Sequence, residues 1–286
     1  MTAKKIITKE KNIPKKYHFI AGLPRSGSTL LANILAQNPN FHATGTSGIM
    51  DVMFNVRNVW NNLIEFKATP DYPAEIRVLR GILESYFSNI DESVIFDKGR
   101  GWLSEIEMIE AVLGHKIKIL VPVRDMREVV SSFEKLWRKD APYNQSSLAK
   151  EDYFMFQTVT GRVNMTLRHT HPVGIAYNRI VDAMNRGFSD RLFFVDFEDL
   201  THQPKETIDQ VYKFLDEDSF EHDFNNVEQV TKENDAIFGI RDLHTIRKKV
   251  TPLKSDWRTV IGEQFAHLDN LNFWKKNIKQ NIPSLE

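Results

Sequence analysis

The sequence predicts an α/β fold in which a mostly parallel sheet lies between layers of helices, and three observations carry that expectation. Short apolar runs at 17–23, 93–96, 117–123 and 192–197 are separated by long stretches of helical periodicity, the alternation produced by parallel sheets covered on both faces. The first run, Tyr17-His18-Phe19-Ile20-Ala21-Gly22-Leu23, passes at once into Pro24 and a Gly/Ser cluster, so it reads as a buried strand entering a loop. The 286 residues, 41% hydrophobic and 27% charged, suffice for one such domain without disulfide or metal staples.

Each element follows from local pattern. Residues 1–16 hold six Lys against one Glu and lack an apolar centre, which predicts a flexible basic tail rather than a signal peptide. The remainder, 17–286, reads as a single domain. After the Gly/Ser loop, Leu30, Leu31, Ile34 and Leu35 have helical spacing, and Asn38-Pro39-Asn40 supplies a stop. Trp102, Leu103, Ile106, Ile109, Val112 and Leu113 mark a helix face before the strand at 117–123, and Val129, Val130, Phe133, Leu136 and Trp137 mark another after it. The stretch 147–188, with breaks at Gly161, His171-Pro172 and Gly187, is read as a helical elaboration of two helices. The segment 232–286 has no clean periodicity and is read as loop-rich cover ending in a short helix.

Composition narrows the function. Lys+Arg and Asp+Glu both total 38, so no bulk positive charge recommends nucleic acid as a partner, and any anion site must be local. The absence of Cys removes thiolate chemistry and disulfides, and no apolar run approaches the roughly 20 residues of a membrane helix. A cytoplasmic address without a membrane span is the expectation.

The segment that carries chemistry is Gly22-Leu23-Pro24-Arg25-Ser26-Gly27-Ser28-Thr29, set where a strand ends and a helix begins. Unpaired N–H groups and the positive helix end converge there, which suits a phosphate. The spacing is that of the nucleotide-triphosphate loop G-x-x-x-x-G-K-[ST], which predicts a P-loop NTPase-like three-layer architecture, but Ser28 stands where the lysine belongs. Arg25 is left as the loop's cation, with hydroxyls at Ser26, Ser28 and Thr29.

These residues resemble the sulfotransferases that use 3′-phosphoadenosine 5′-phosphosulfate (PAPS), nearest to the protein-tyrosine and carbohydrate branches. The 5′-phosphosulfate loop of that family is matched by Leu23-Pro24-Arg25-Ser26-Gly27-Ser28-Thr29-Leu30. A second signature, a strand followed by Arg and eight residues later by Ser, binds the 3′-phosphate in the family and is matched by Arg124 and Ser132 after Ile119-Leu120-Val121-Pro122-Val123. By the same resemblance Lys98, ending Val94-Ile95-Phe96-Asp97-Lys98, neutralises charge at the bridging oxygen, and Lys248, within the basic loop 246–250, contacts the 3′-phosphate.

The resemblance implies transfer of the sulfuryl group from PAPS to an acceptor hydroxyl or amine by in-line displacement, leaving adenosine 3′,5′-bisphosphate (PAP), with no metal required. The acceptor class is open: small molecule, carbohydrate or protein side chain. In the tyrosine-modifying branch a Glu follows the first helix, whereas Ala43-Thr44-Gly45-Thr46-Ser47-Gly48 contains no carboxylate and Asp51 is the nearest acid. His42, Asp235 and His244 are further candidates for the general base. Two alternatives stand beside this reading: an ATP-dependent P-loop phosphotransferase, and a non-catalytic nucleotide-binding module.

Overall fold

The computed structural model describes residues 14–146 and 152–275. Residues 1–13 of the expected tail, 147–151 of the helical elaboration and 276–286 of the cover lie outside the described residues.

Five strands form one sheet in the order β2-β3-β1-β4-β5, every neighbouring pair parallel. In chain order the elements begin with β1 (Lys16–Ile20), α1 (Ser28–Leu35), β2 (Phe41–Thr46), α2 (Ile49–Asn62), α3 (Ile64–Ala68), α4 (Tyr72–Tyr86) and β3 (Val94–Lys98). A 3-10 turn (Arg100–Ser104) leads to α5 (Ile106–Leu113), β4 (Ile119–Val123) and α6 (Met126–Lys139). The helices α7 (Ala141–Ser146), α8 (Tyr153–Phe156), α9 (Val159–Leu167) and α10 (Pro172–Asn185) precede β5 (Leu192–Asp196), which is followed by α11 (Phe197–His202), α12 (Pro204–Leu215) and the short α13 (Trp257–Val260). The expected α/β architecture is therefore observed.

The alternation of side chains along β1 divides the core in two. Tyr17 and Phe19 face a layer that includes Trp102, Ile106, Ile109 and Tyr177, while Ile20 faces α1 and α12 through Leu31, Ile34, Ile208 and Val211. Every residue of β3 and β4 is buried, as expected of strands covered on both sides. Phe19 and Trp102 are fully buried with ring centroids 4.5 Å apart, so truncating either to Ala costs about 3–5 kcal/mol.

The sequence reading had no strand at β2. This edge strand pairs on one side only, buries Phe41 and Ala43 and leaves His42, Thr44 and Gly45 half-buried. A polar, glycine-containing segment of that kind lacks the continuous apolar run by which the central strands announce themselves. In the described part of 232–286 the regular elements are 3-10 turns and α13; residues between 238 and 253 line the carboxyl edge of the sheet, whereas α13 and the 3-10 segment Glu263–Leu271 pack on α6. Among the described residues no helix is long and apolar enough to cross a membrane.

Candidate active site

The chain reverses its direction of sheet-building around β1. It moves from β1 outward to β2, returns to β3, then crosses over to β4 on the other side. The crevice above such a switch point is where open α/β sheets bind ligands. Here it is a cavity of about 340 Å³ between the loop after β1, the carboxyl ends of β3 and β4, and the cover.

The loop after β1 is shaped by close packing. A Cβ at Gly22 would lie 2.2 Å from the carbonyl oxygen of Pro122, and Gly27 has φ +84° and lies against the Phe197 ring, so both positions demand glycine. Ser26 is buried and its hydroxyl donates to the carbonyls of Leu23 (2.5 Å) and Pro122 (2.9 Å), so this side chain pins the loop to β4. Helix α1 then starts with no side-chain cap and no acid in its first turn, leaving its N–H groups directed at the cavity wall formed by Gly27, Ser28, Thr29 and Leu30.

Arg25 adopts φ +60°, a strained conformation for a residue with a Cβ. Its Nε donates to Ser132 Oγ at 3.1 Å and its Nη1 to the carbonyl of Leu243. Burial and the like charge of Arg124 push Arg25 down to about 10, still protonated at neutral pH. Arg124 donates from Nη1 to the Arg25 carbonyl (3.4 Å), stacks over Phe197 at 4.6 Å and approaches Glu128 at 3.5 Å. Two residues separated by almost a hundred positions, each after its own strand, thus share one wall of the cleft with Ser132 from the second turn of α6.

Lys98 ends β3, where its register partners are Ile20 on β1 and Thr46 on β2. Its Nζ lies 3.3 Å from Thr29 Oγ1 and 3.2 Å from Glu233 Oε2. Burial lowers the Lys98 pKa, with Glu233 opposing. Burial pushes Glu233 up, but Lys98 and the bonds from Thr46 outweigh it and hold the carboxyl below its ordinary range. The strand is set from beneath by Asp97, fully buried, which accepts from Trp102 Nε1 (2.7 Å) and Thr44 Oγ1 (3.1 Å); Thr44 Oγ1 in turn accepts the Lys98 N–H (2.8 Å).

Glu233 is the residue that the sequence reading missed. Its Oε1 accepts the Thr46 N–H at 2.7 Å, so a carboxylate from the cover reaches the stretch 43–48 that has none of its own. Asn33 on α1 makes this placement definite: its Oδ1 accepts from the N–H groups of Val230 and Thr231, and its Nδ2 donates to Thr29 O and Thr231 Oγ1. The charged cluster Lys232-Glu233-Asn234-Asp235 was the available signal. Arg100, which also lines the cleft, was signalled only by its position two residues after a strand-ending lysine.

Of the base candidates, His244 lines the cleft, and its Nδ1 is 2.6 Å from Asp235 Oδ1 and 3.7 Å from Glu233 Oε2. Asp235 Oδ2 also accepts the His244 N–H, so the pair forms a rigid dyad. The structure does not bring Asp51 or His42 to this group: Asp51 is exposed in the first turn of α2, and His42 sits near Glu92 at the sheet's edge. Lys248 is exposed and outside the cleft lining, whereas its neighbours Arg247 and Lys249 are at the rim. Among the described residues no cluster of three or more His, Asp or Glu is arranged to hold a metal ion.

Residues 18–222 match the model of the sulfotransferase family. None of the curated proteins matches the chain. Among solved structures, the sulfotransferase domain from the Synechococcus PCC 7002 olefin synthase is 16% identical, with 95% of this chain and 98% of that one covered at a TM-score of 0.49. The sulfotransferase domain from the curacin biosynthetic pathway is 17% identical over 95% and 94% of the two chains, with a TM-score of 0.48. Retinol dehydratase in a complex with retinol and PAP is 16% identical over 96% and 86%, with a TM-score of 0.49.

Proposed function

The chain belongs to the sulfotransferase family, and we propose that it transfers the sulfuryl group of PAPS to an acceptor hydroxyl or amine by in-line displacement. The observation that carries this reading is the convergence of Arg25, Arg124 and Ser132 on one cleft wall beside the uncapped start of α1, where Lys98 Nζ meets Thr29. Two groups of anion-binding donors in one cleft suit a nucleotide with charge at both the 5′ and 3′ positions of its sugar. Family membership and the missing loop lysine at Ser28 disfavour an ATP-dependent phosphotransferase.

In the transfer the acceptor atom bonds to sulfur while the bond from sulfur to the 5′-phosphate oxygen breaks, and its electron pair stays on that oxygen. Lys98, the Thr29 hydroxyl and the N–H groups of α1 are directed at the place where this negative charge grows, so they bind the transition state better than the ground state. Arg124 and Ser132 hold the 3′-phosphate, and Arg25, bonded to Ser132, links the two anion positions. Bonding of His244 Nδ1 to Asp235 fixes the neutral tautomer with its lone pair on Nε2, and this nitrogen takes the acceptor's proton. Glu233 keeps Lys98 charged and in place within a buried setting.

The test is incubation of the full chain with sulfur-labelled PAPS and a panel of alcohols, phenols, sugars and amines, alongside calorimetric binding of PAP. Labelled product in at least one case and saturable PAP binding are expected; a chain that binds neither PAPS nor PAP overturns the reading, and one that binds nucleotide but never modifies an acceptor is a binding module.

A further inference from the structure

Arg100 is a cation without a counterpart. It follows Lys98 and Gly99 at the carboxyl end of β3 and lines the same cleft, yet among the described residues it makes no ion pair and no hydrogen bond. The other inner-wall cations are engaged: Lys98 with Glu233, Arg124 with Glu128, Arg25 with Ser132 and the Leu243 carbonyl. Burial disfavours the charged form of Arg100, and Arg179, on the α10 helix that packs against this turn, adds a second positive charge. Among the described residues the acid acting on Arg100 is Glu233, whose two oxygens are already taken by Lys98 and the Thr46 N–H.

Position gives the surplus charge its meaning. Arg25 and Arg124 follow β1 and β4 and share one wall of the cleft, whereas the turn that carries Arg100 follows β3 and packs against α10 and α2. Both anionic ends of the donor are accounted for by Arg25, Arg124, Ser132, Lys98 and the start of α1. In-line displacement brings the acceptor from the side facing away from the leaving phosphate, so a cleft cation that neither phosphate uses is available to it.

Resting on the sulfuryl-transfer reading above, we propose that the acceptor carries a carboxylate next to its reacting hydroxyl or amine, and that Arg100 binds it. A planar guanidinium matches a carboxylate with two parallel hydrogen bonds, and a desolvated arginine facing a neutral acceptor stays uncompensated. Arg179 contributes at longer range by raising the positive potential at that spot. Arg100 thereby selects among acceptors without touching the nucleotide.

The experiment uses PAP-saturated full-length protein and matched acid and amide probes: 3-hydroxybutyrate against 3-hydroxybutyramide, and 4-hydroxyphenylacetate against 4-hydroxyphenylacetamide, titrated calorimetrically. In at least one pair the acid binds about tenfold or more tighter than the amide, and Arg100→Ala reduces that preference to about twofold or less while PAP affinity stays within about twofold of wild type. Arg100→Gln repeats the comparison with the turn's packing preserved. Equal affinity of acid and amide in every pair, or a preference that survives both substitutions, overturns the assignment. So does an equal loss of acid and amide binding together with PAP binding, which places Arg100 on the donor. Wild-type protein that fails to bind PAP sinks the donor reading itself, a result separate from PAP binding without acid preference.

Discussion

The Lys98 ammonium lies 3.2 Å from the Glu233 carboxylate across 135 positions of sequence, both side chains 7% exposed. An ion pair this buried binds the end of the central strand β3 to the cover, and it places a protein carboxylate beside the Lys98 ammonium that lines the cleft.

Removing one partner of such a pair leaves the other charge uncompensated. Glu233→Gln is expected to cost the ligand-free protein about 3 kcal/mol. Because the Glu233 pKa is depressed in the folded state, this contribution is present above the ordinary glutamate range and is lost as pH falls through the folded value. PAP supplies replacement negative charge, so the rise in melting temperature on adding PAP is larger in the variant than in wild type. A smaller or equal rise counts against Glu233 standing in for ligand charge.

Asp97 has the opposite sign. Burial raises its pKa to about 6 despite hydrogen bonds from Trp102 and Thr44, so its contribution is fully present below pH 3.8 and is lost as pH rises through about 6. Urea unfolding from pH 4 to pH 7 should show wild type losing about 3 kcal/mol relative to Asp97→Asn over that interval. A difference that does not change with pH contradicts the assignment.

Arg124→Ala is expected to weaken PAP binding by about 2 kcal/mol or more, roughly a thirtyfold rise in Kd by calorimetry. Arg25→Ala abolishes transfer. The φ of +60° at residue 25 adds a control: Arg25→Gly is equally inactive but unfolds at a free energy about 1 kcal/mol higher than Arg25→Ala, because glycine adopts that backbone without strain.

His244→Ala is expected to lower kcat by about 100-fold or more with PAP affinity unchanged. Asp235→Asn also reduces kcat, since the ring loses its fixed tautomer. Unaltered turnover in His244→Ala removes the dyad from the mechanism.

The central strands and the two loops that meet in the cleft, after β1 and β4, were legible in the sequence because each depends on near neighbours: an apolar run, a glycine turn, a helix start. Arg25, Arg124 and Ser132 meet because their strands are adjacent and parallel, which follows once the sheet is inferred. Glu233 and Arg100 were not legible for the opposite reason. Glu233 reaches the site through Asn33, a buried polar residue within the apolar stretch Leu30 to Leu35 of α1, and nothing local distinguishes it from any other acid in a charged loop. The edge strand β2 escaped notice because one-sided pairing tolerates Thr44-Gly45-Thr46.

Asn33 also has a mechanical consequence. With one amide group it fastens α1, whose first turn lines the cleft, to the chain at Val230 and Thr231. Residues 230–231 cannot part from α1 without breaking all three of the bonds that Asn33 makes to them, so the position of Glu233, two residues further on, hangs on one side chain that itself stands behind the cleft wall.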